Sequence, residues 1–361
     1  MKLRTPQHSG LWILLLAVLA CSCVRAQDAR FSQLWTTPML NNPALTGVMN
    51  GRLRVTANYQ ALYTTLQHTE GYRSMAASAE FRERLRSGNY AGFGVQLQHD
   101  RAGESNFVRS SGVLSGSYQQ QLYGGGSRGN IHHYLAGGVQ LGVGQRGFDM
   151  NKLWFSEQYF VDPASRQSYL DRSAPSGELY SGLGGRLYPD INIGVAWFAT
   201  FGDRSGAYLG GAAYHLTRPN VSPLPDYTDL LSRRYVIHGG GELPLGQGYL
   251  SFLPVVRAMV QGPSFSSTIG GSFRYTQRGW REVALRAGVW GQLTNAHNER
   301  TGLGAVIVAV SLEADNVQLG LSYDLAVGGL SRATSNRGGF ELSITYTQLE
   351  AQGNRVRCPK F

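Results

Sequence analysis

The chain has 361 residues, a net charge of +10, only 16% charged residues and 47 glycines. Soluble domains carry about a quarter charged residues, so this composition argues against an ordinary hydrated surface and for a belt that rejects charge. Lys152 and Lys360 are the only lysines after Lys2, and the arginines are spread singly instead of clustered with aromatics on one element, which argues against a nucleic-acid surface.

Residues 1–26 read as a secretory signal peptide. Lys2 and Arg4 precede the apolar run Leu11 to Ala20, and Val24-Arg25-Ala26 ends on a small residue before Gln27. The apolar run is too short to cross a bilayer, which needs about 20 residues. Cys21 after Val18-Leu19-Ala20 also allows a lipoprotein signal, which Leu19 fits poorly. Removal of the leader takes Cys21 and Cys23 with it and leaves Cys358, so no disulfide framework is expected.

Residues 27–50 lack alternation and hold the turn formers Pro38, Asn41-Asn42-Pro43 and Gly47. They are expected to form an irregular N-terminal segment that tucks into a barrel mouth as a partial plug or docks a periplasmic partner.

A barrel is expected over 51–347. Period-two alternation marks strand candidates at 52–60, 73–82, 90–98, 109–121, 131–145, 176–187, 190–200, 206–216, 233–243, 250–260, 266–276, 281–292, 304–313, 316–326 and 338–347. In the first, Leu53, Val55, Ala57 and Tyr59 face one way and Arg52, Arg54, Thr56 and Asn58 the other. The same holds for Ala91, Phe93, Val95 and Leu97, for Val317, Leu319, Leu321 and Tyr323, and for Phe340, Leu342, Ile344 and Tyr346. One greasy and one polar face per strand is the signature of an all-β, transmembrane antiparallel β-barrel with short periplasmic turns and longer extracellular loops.

An odd strand number would leave the two chain ends on opposite sides. The candidate 176–187, whose Ser181-Gly182-Leu183-Gly184-Gly185 offers no lipid face, is therefore assigned to a long outer loop over 147–189, leaving about 14 strands. Segment 304–313 is apolar on both faces and is expected to lie against the N-terminal segment. Tyr63, Tyr90, Trp197, Phe201, Tyr235, Trp280 and Trp290 lie near strand ends and suit interfacial girdles. Residues 348–361 form a C-terminal tail.

The sequence offers no chemistry of its own. Gly124 to Gly129 and Gly142 to Gly147 match G-x-G-x-x-G without a βαβ unit, and Gly125-Gly126-Ser127-Arg128-Gly129 matches a nucleophile elbow without the strand-turn-helix setting it needs. His132 and His133 are adjacent and so point to opposite faces of a strand. Asp226 and Asp229 fall among Pro223, Pro225 and Tyr227 in an outer loop. Catalytic residues, cofactors and metals are all expected to be absent.

Several blocks carry a family resemblance. They are Asp28-Ala29-Arg30-Phe31-Ser32-Gln33 with Asn42-Pro43-Ala44 and Gly47; Leu153-Trp154-Phe155 with Gln158-Tyr159; Asp190-Ile191-Asn192-Ile193-Gly194; Tyr208-Leu209-Gly210-Gly211 with His215-Leu216 and Pro219; Tyr323-Asp324 with Glu341; and Cys358-Pro359-Lys360-Phe361. In order and spacing they resemble the PorP/SprF family of outer-membrane proteins of the type IX secretion system. Trp154, Glu157 and Gly211-Ala212-Ala213 depart from its usual pattern.

The resemblance implies a non-enzymatic outer-membrane β-barrel. Its partners would be the C-terminal domain of a secreted cargo protein, gliding adhesins included, held at the cell surface, or the secretion machinery through its periplasmic ring or a peptidoglycan-binding lipoprotein, with outer-membrane lipids around the belt. On this resemblance Phe31, Gln33, Asn42, Pro43, Gly47, Trp154, Phe155, Gln158, Tyr159, Asp190, His215, Pro219, Tyr323, Asp324 and Glu341 are the partner-binding candidates. From the residues themselves, the long loops carry Trp154, Phe155, Tyr159, Arg166, Tyr169, Arg172 and Tyr227, residue types that make binding hot spots. The alternatives are a general diffusion porin for small solutes, an outer-membrane hydrolase using His215 and Asp324, and a secreted soluble β-sandwich.

Overall fold

A computed structural model describes residues 28–349, apart from the connecting stretches 64–70, 86–87, 104–105, 125–130, 149–152, 178–184, 202–204, 223–226, 247–248, 279–281, 296–300, 329–330, 332–333 and 335–336. The leader, the glycines 125–129, Asp226, Trp280 and the Cys358 tail lie outside the described residues.

Sixteen strands follow the chain: β1 (Leu53–Leu62), β2 (Tyr72–Arg84), β3 (Tyr90–Ala102), β4 (Phe107–Tyr123), β5 (Ile131–Gly147), β6 (Tyr159–Val161), β7 (Ser168–Leu170), β8 (Leu187–Phe201), β9 (Gly206–Tyr214), β10 (Arg234–Pro244), β11 (Leu250–Gln261), β12 (Ser264–Arg278), β13 (Glu282–Asn295), β14 (Thr301–Ala314), β15 (Val317–Ala326) and β16 (Arg337–Gln348). Fourteen of them close an antiparallel barrel in which each neighbours its successor, β5 pairs with β8, and β16 returns to β1. The two short strands β6 and β7 form a separate ribbon in the loop between β5 and β8. No barrel strand occupies 176–187 before Leu187 among the described residues.

Alternation decides the two faces. Leu114 is 69% exposed, Leu97 60% and Leu321 58%, all pointing outward, while the residues between them, such as Ser115, Gln96 and Ser322, are buried in the lumen. Such a wall has lipid as its natural outer solvent, because an apolar belt of this extent in water would be a large unfavourable exposure. Closure leaves the barrel no sheet edge, and each of its fourteen strands finds both hydrogen-bonding partners within the wall. The chain enters β1 and leaves β16 at the same end as the short turns 85–89, 245–249 and 315–316. The opposite end carries the long connections 148–186 and 215–233, which marks it as the extracellular end.

Two girdle assignments are overturned. Tyr90 and Trp290 are 1% and 2% exposed and point into the lumen. The strand parity requires this, since their neighbours Ala91 and Val289 look outward. The apolar inner face of β14 does meet the N-terminal segment: Ile307 and Ala309 pack with Trp290 against Trp35.

Candidate functional site

Residues 28–50 fill the lumen. They run from the extracellular end, where Asp28 sits, to the periplasmic end, where Gly51 lies against Gln348 at the close of β16. The sequence suggested a partial plug at a mouth or a periplasmic docking segment. Instead the segment threads the whole barrel, as three short helical turns at Leu34–Thr36, Pro38–Asn41 and Pro43–Leu45, because a chain with prolines and no alternation cannot join the sheet.

At the extracellular end the Asp28 carboxylate meets Arg109 of β4, Arg234 of β10 (Nη1 to Oδ2, 2.9 Å) and His215 (Nε2 to Oδ2, 2.7 Å). Gln261 donates to Asp28 Oδ1 and accepts from its backbone N–H at 3.1 and 3.0 Å. His215, held at φ 59° just past β9, also reaches Asp190 Oδ2 through Nδ1 at 2.8 Å. An imidazolium satisfies both carboxylates by donating from both ring nitrogens. Burial disfavours its charge, but Asp28 and Asp190 outweigh burial and raise the His215 pKa. Burial likewise works against the Asp28 carboxylate, yet Arg109, His215 and Arg234 hold it well below the usual carboxylate range. The Arg234 guanidinium also lies 4.0 Å over the Tyr214 ring.

Further in, Glu341 of β16 accepts the backbone N–H groups of Ser32 (2.6 Å) and Gln33 (3.3 Å), with Asn58 and Gln60 donating to the same carboxylate. Ser32 Oγ donates to Asp324 at 2.6 Å, and Gln33 exchanges bonds with the Glu341 carbonyl and Ser343. Trp35 packs on Trp290 at 5.1 Å between ring centroids, with Arg286 4.2 Å over the Trp35 ring.

At mid-lumen Asn42, fully buried, donates through Nδ2 to the carbonyls of Val195 and Gly211 and to His238 Nε2 at 2.9, 3.2 and 3.0 Å. Its Oδ1 caps Ala44 N at 2.9 Å. A Cβ at Gly194 would lie 1.9 Å from Asn42 Oδ1, and one at Gly138 would lie 2.4 Å from the Pro43 carbonyl carbon. These glycines give the clearance that Asn42-Pro43 needs.

The foot is apolar. Leu45 and Val48 pack against inward Tyr90, Tyr134, Phe198 and Tyr208 at the periplasmic ends of their strands. Gly47, at φ +70°, donates to Glu80, which Arg54 clamps bidentately at 2.9 and 2.8 Å. A side chain at Gly47 would meet the backbone of Gly92 at 2.8 Å. The cavities lined by Trp35 and His238, and by Asp28 and Tyr188, measure about 20 and 30 Å³, room for roughly one or two waters each.

The structure therefore brings together nine of the predicted residues, Phe31, Gln33, Asn42, Pro43, Gly47, Asp190, His215, Asp324 and Glu341, but as internal fasteners of the plug, all buried. Tyr323 is 42% exposed on the lipid face and belongs to no site. Pro219 is buried in the loop after β9, its carbonyl accepting Leu231 N at 3.0 Å. Gln158 is also buried, bonding Phe155 N and the Ala174 carbonyl and so stapling the long loop. The residues that sequence reasoning passed over are Asp28, Arg109, Arg234, Gln261, Trp35, Trp290, Arg54 and Glu80. Inward parity of the charged strand residues was the available signal.

The long outer loop presents a different surface. Trp154, Tyr159, Phe160, Val161 and Tyr169 are 39 to 55% exposed, with Phe160 stacked on Tyr169 at 5.7 Å and Trp154 beside Tyr159 at 6.4 Å. Tyr227 in the second long loop is 68% exposed.

The sequence matches the family described as type IX secretion system membrane protein PorP/SprF over residues 24–346. The chain belongs to that family. Placing the PorP/SprF blocks in space explains their separation in sequence: Asn42-Pro43 seats against Gly194 and beside Gly210, and Ser32-Gln33 against Asp324 and Glu341. Among solved structures the chain is similar to CdiB from Escherichia coli, at 9% identity and a TM-score of 0.41, covering 81% of this chain and 63% of that one. It is also similar to a mutant form of the Rh. blastica porin, at 8% identity and a TM-score of 0.32, covering 81% of this chain and 98% of that one. No curated protein matches.

Proposed function

We propose that this barrel is a non-conducting outer-membrane scaffold of the type IX secretion system that binds the C-terminal domain of a secreted cargo through its outer loops and anchors it at the cell surface. The observation that carries the reading is the division of labour in the molecule. The lumen is taken up by residues 28–50, while the extracellular end offers the aromatic ribbon β6–β7 with Trp154, and Tyr227 beyond it. Exposed aromatics on a scaffolded loop are hot-spot chemistry for a protein partner. A diffusion porin needs an open passage, which a segment fastened at both ends and in the middle opposes. The seal is an aromatic cluster with one buried ion pair at the periplasmic foot and a cluster of charges at the outer mouth. A hydrolase built on His215 and Asp324 is disfavoured too: each is committed to a plug contact, at opposite flanks of the N-terminal segment.

The test is affinity capture of the tagged protein from intact outer membranes, for the native chain and for a Trp154→Ala, Tyr159→Ala, Tyr169→Ala variant. A secreted cargo retained by the native protein and lost from the variant is the expected result. Capture of periplasmic machinery alone, unchanged in the variant, would instead favour coupling to the periplasmic ring and sink cargo binding by these loops.

A further inference from the structure

We propose that the lumen holds one small monovalent anion, a halide such as chloride, between Arg257 of β11 and the middle of the N-terminal segment. Arg257 is 5% exposed and points inward, yet among the described residues it makes one hydrogen bond, Nη1 to Asn41 Oδ1 at 3.0 Å, and no ion pair. Its partner is a neutral amide. Arg54, Arg109, Arg234 and Arg274 by contrast each meet a carboxylate. Glu341 acts on Arg257 only from a distance, and its carboxylate already accepts from Ser32, Gln33, Asn58 and Gln60, while Arg30 and Arg234 add charge of the same sign. A cation taken out of water needs a counter-charge or a full set of hydrogen bonds. The protein gives Arg257 neither.

The neighbours of Arg257 are donors too. His238 stands directly opposite it on β10. Asn42 Nδ2 lies 3.0 Å from His238 Nε2, and the amide is oriented by its Oδ1, which accepts from Ala44 N, so Nε2 is the acceptor and the ring proton sits on Nδ1. No acceptor among the described residues takes that Nδ1–H, and none takes the indole Nε1–H of Trp35. Arg257, His238, Trp35 and Asn41 all line one cavity of about 20 Å³, whose remaining wall is apolar apart from Tyr208.

Size and charge select the occupant. A cavity of this volume takes one or two water-sized spheres, so a monatomic anion fits where phosphate, sulfate or a carboxylate side chain does not. Net charge points the same way: among the described residues eight arginines are buried against six carboxylates, Asp28, Glu80, Asp190, Glu242, Asp324 and Glu341. Water would satisfy the donors and leave that excess, whereas an anion offsets it. The site also joins segment to wall, since Trp35 and Asn41 belong to the one and Arg257 and His238 to the other. An ion held between them leaves only when the segment lifts, so it latches the plug at its middle.

The experiment takes two readouts from the full chain in detergent. Crystals grown in sodium bromide are expected to give an anomalous peak beside the Arg257 guanidinium. Hydrogen exchange then compares sodium chloride with sodium gluconate at equal ionic strength. The amides of Asn42 and Leu45, which bond to the Pro38 and Asn42 carbonyls inside the segment, should slow about tenfold at about ten times the half-saturating chloride concentration, because opening then has to release the ion. The Arg166 amide, bonded within the outer loop, should not respond. Arg257→Gln removes the charge, and Val255→Leu fills the cavity while keeping Arg257. Both are expected to lose the bromide peak and the chloride dependence, and heat-dependent gel migration checks that each is still a closed barrel. No bromide at Arg257 in the native chain, exchange at Asn42 and Leu45 equal in chloride and gluconate, or variants that keep both responses would each overturn the proposal. A cavity filled by water alone gives the first two of these results.

Discussion

Asp28→Asn removes a charge and almost no volume, so it isolates the ionic pin at the outer mouth. In the native chain that carboxylate faces Arg109, Arg234 and His215 at once, and all four side chains are buried. Breaking a buried ion pair from one side costs about 3–5 kcal/mol, because the partner charge stays buried without compensation. At 1.36 kcal/mol per decade this multiplies the open fraction of the plug roughly a hundredfold to several thousandfold. Hydrogen exchange reads the opening directly. Leu34 and Thr36 amides bond to Ser32 and Gln33 carbonyls near the pin, whereas Leu45 and Val48 amides bond within the apolar foot. The expected pattern is graded: exchange at Leu34 and Thr36 accelerates by about two orders of magnitude or more, while Val48, anchored by the Tyr90 and Phe198 cluster, changes least. Exchange at Leu34 and Thr36 within about threefold of the native rate would refute an ionic pin, since that corresponds to under about 1 kcal/mol.

The same pin sets a pH dependence. Asp28 has a depressed pKa, so its contribution is present above about 4 and is lost as pH falls through the folded value. His215 has a raised pKa, so its contribution is complete below about 6.5 and is lost as pH rises through the folded value. Opening of the plug, corrected for intrinsic exchange, should be slowest between those limits and grow above neutrality, and His215→Gln should flatten that alkaline limb. Gly194→Ala forces a Cβ to within 1.9 Å of Asn42 Oδ1 and is expected to cost about 1–3 kcal/mol, read as a lower temperature for loss of heat-modifiable gel migration. Asn42→Ala leaves the strand ladder intact but removes three plug-to-wall contacts and the Ala44 cap, so it should loosen exchange at Ala44 and Leu45 without changing barrel migration. Leu321→Arg, facing lipid between Val310 and Leu342, should cost about 2–4 kcal/mol in denaturant refolding into vesicles.

The barrel was legible because its signal is local. Each strand alternates with period two, and the discarded segment 176–187 had no lipid face to offer. The inward position of Tyr90 and Trp290 is carried by parity: Ala91, Phe93 and Val95 outward require Tyr90 inward, and the pleat outweighs the preference of aromatics for interfaces. The ribbon β6–β7 leaves no signal in the sequence because three residues per strand are too few for a period to register. The site was half legible. The motif residues Gln33, Asn42, His215 and Glu341 stood out one by one, but the groups that bond across the lumen are separated by as many as 310 positions in the chain, as between Gln33 and Ser343. A single sequence records that an arginine at 109 faces inward. It carries no trace of which carboxylate that arginine meets, because the partner is chosen by the path of a non-repetitive segment through the lumen.

Conductance of the purified full-length protein in planar bilayers tests the plugged lumen most directly. The native barrel should give no steady channel, with Asp28→Asn producing brief openings. Large, persistent, unselective conductance from the native chain would contradict the account, since residues 28–50 could not then occupy the lumen as the contacts at Asp28, Asn42 and Gly47 require.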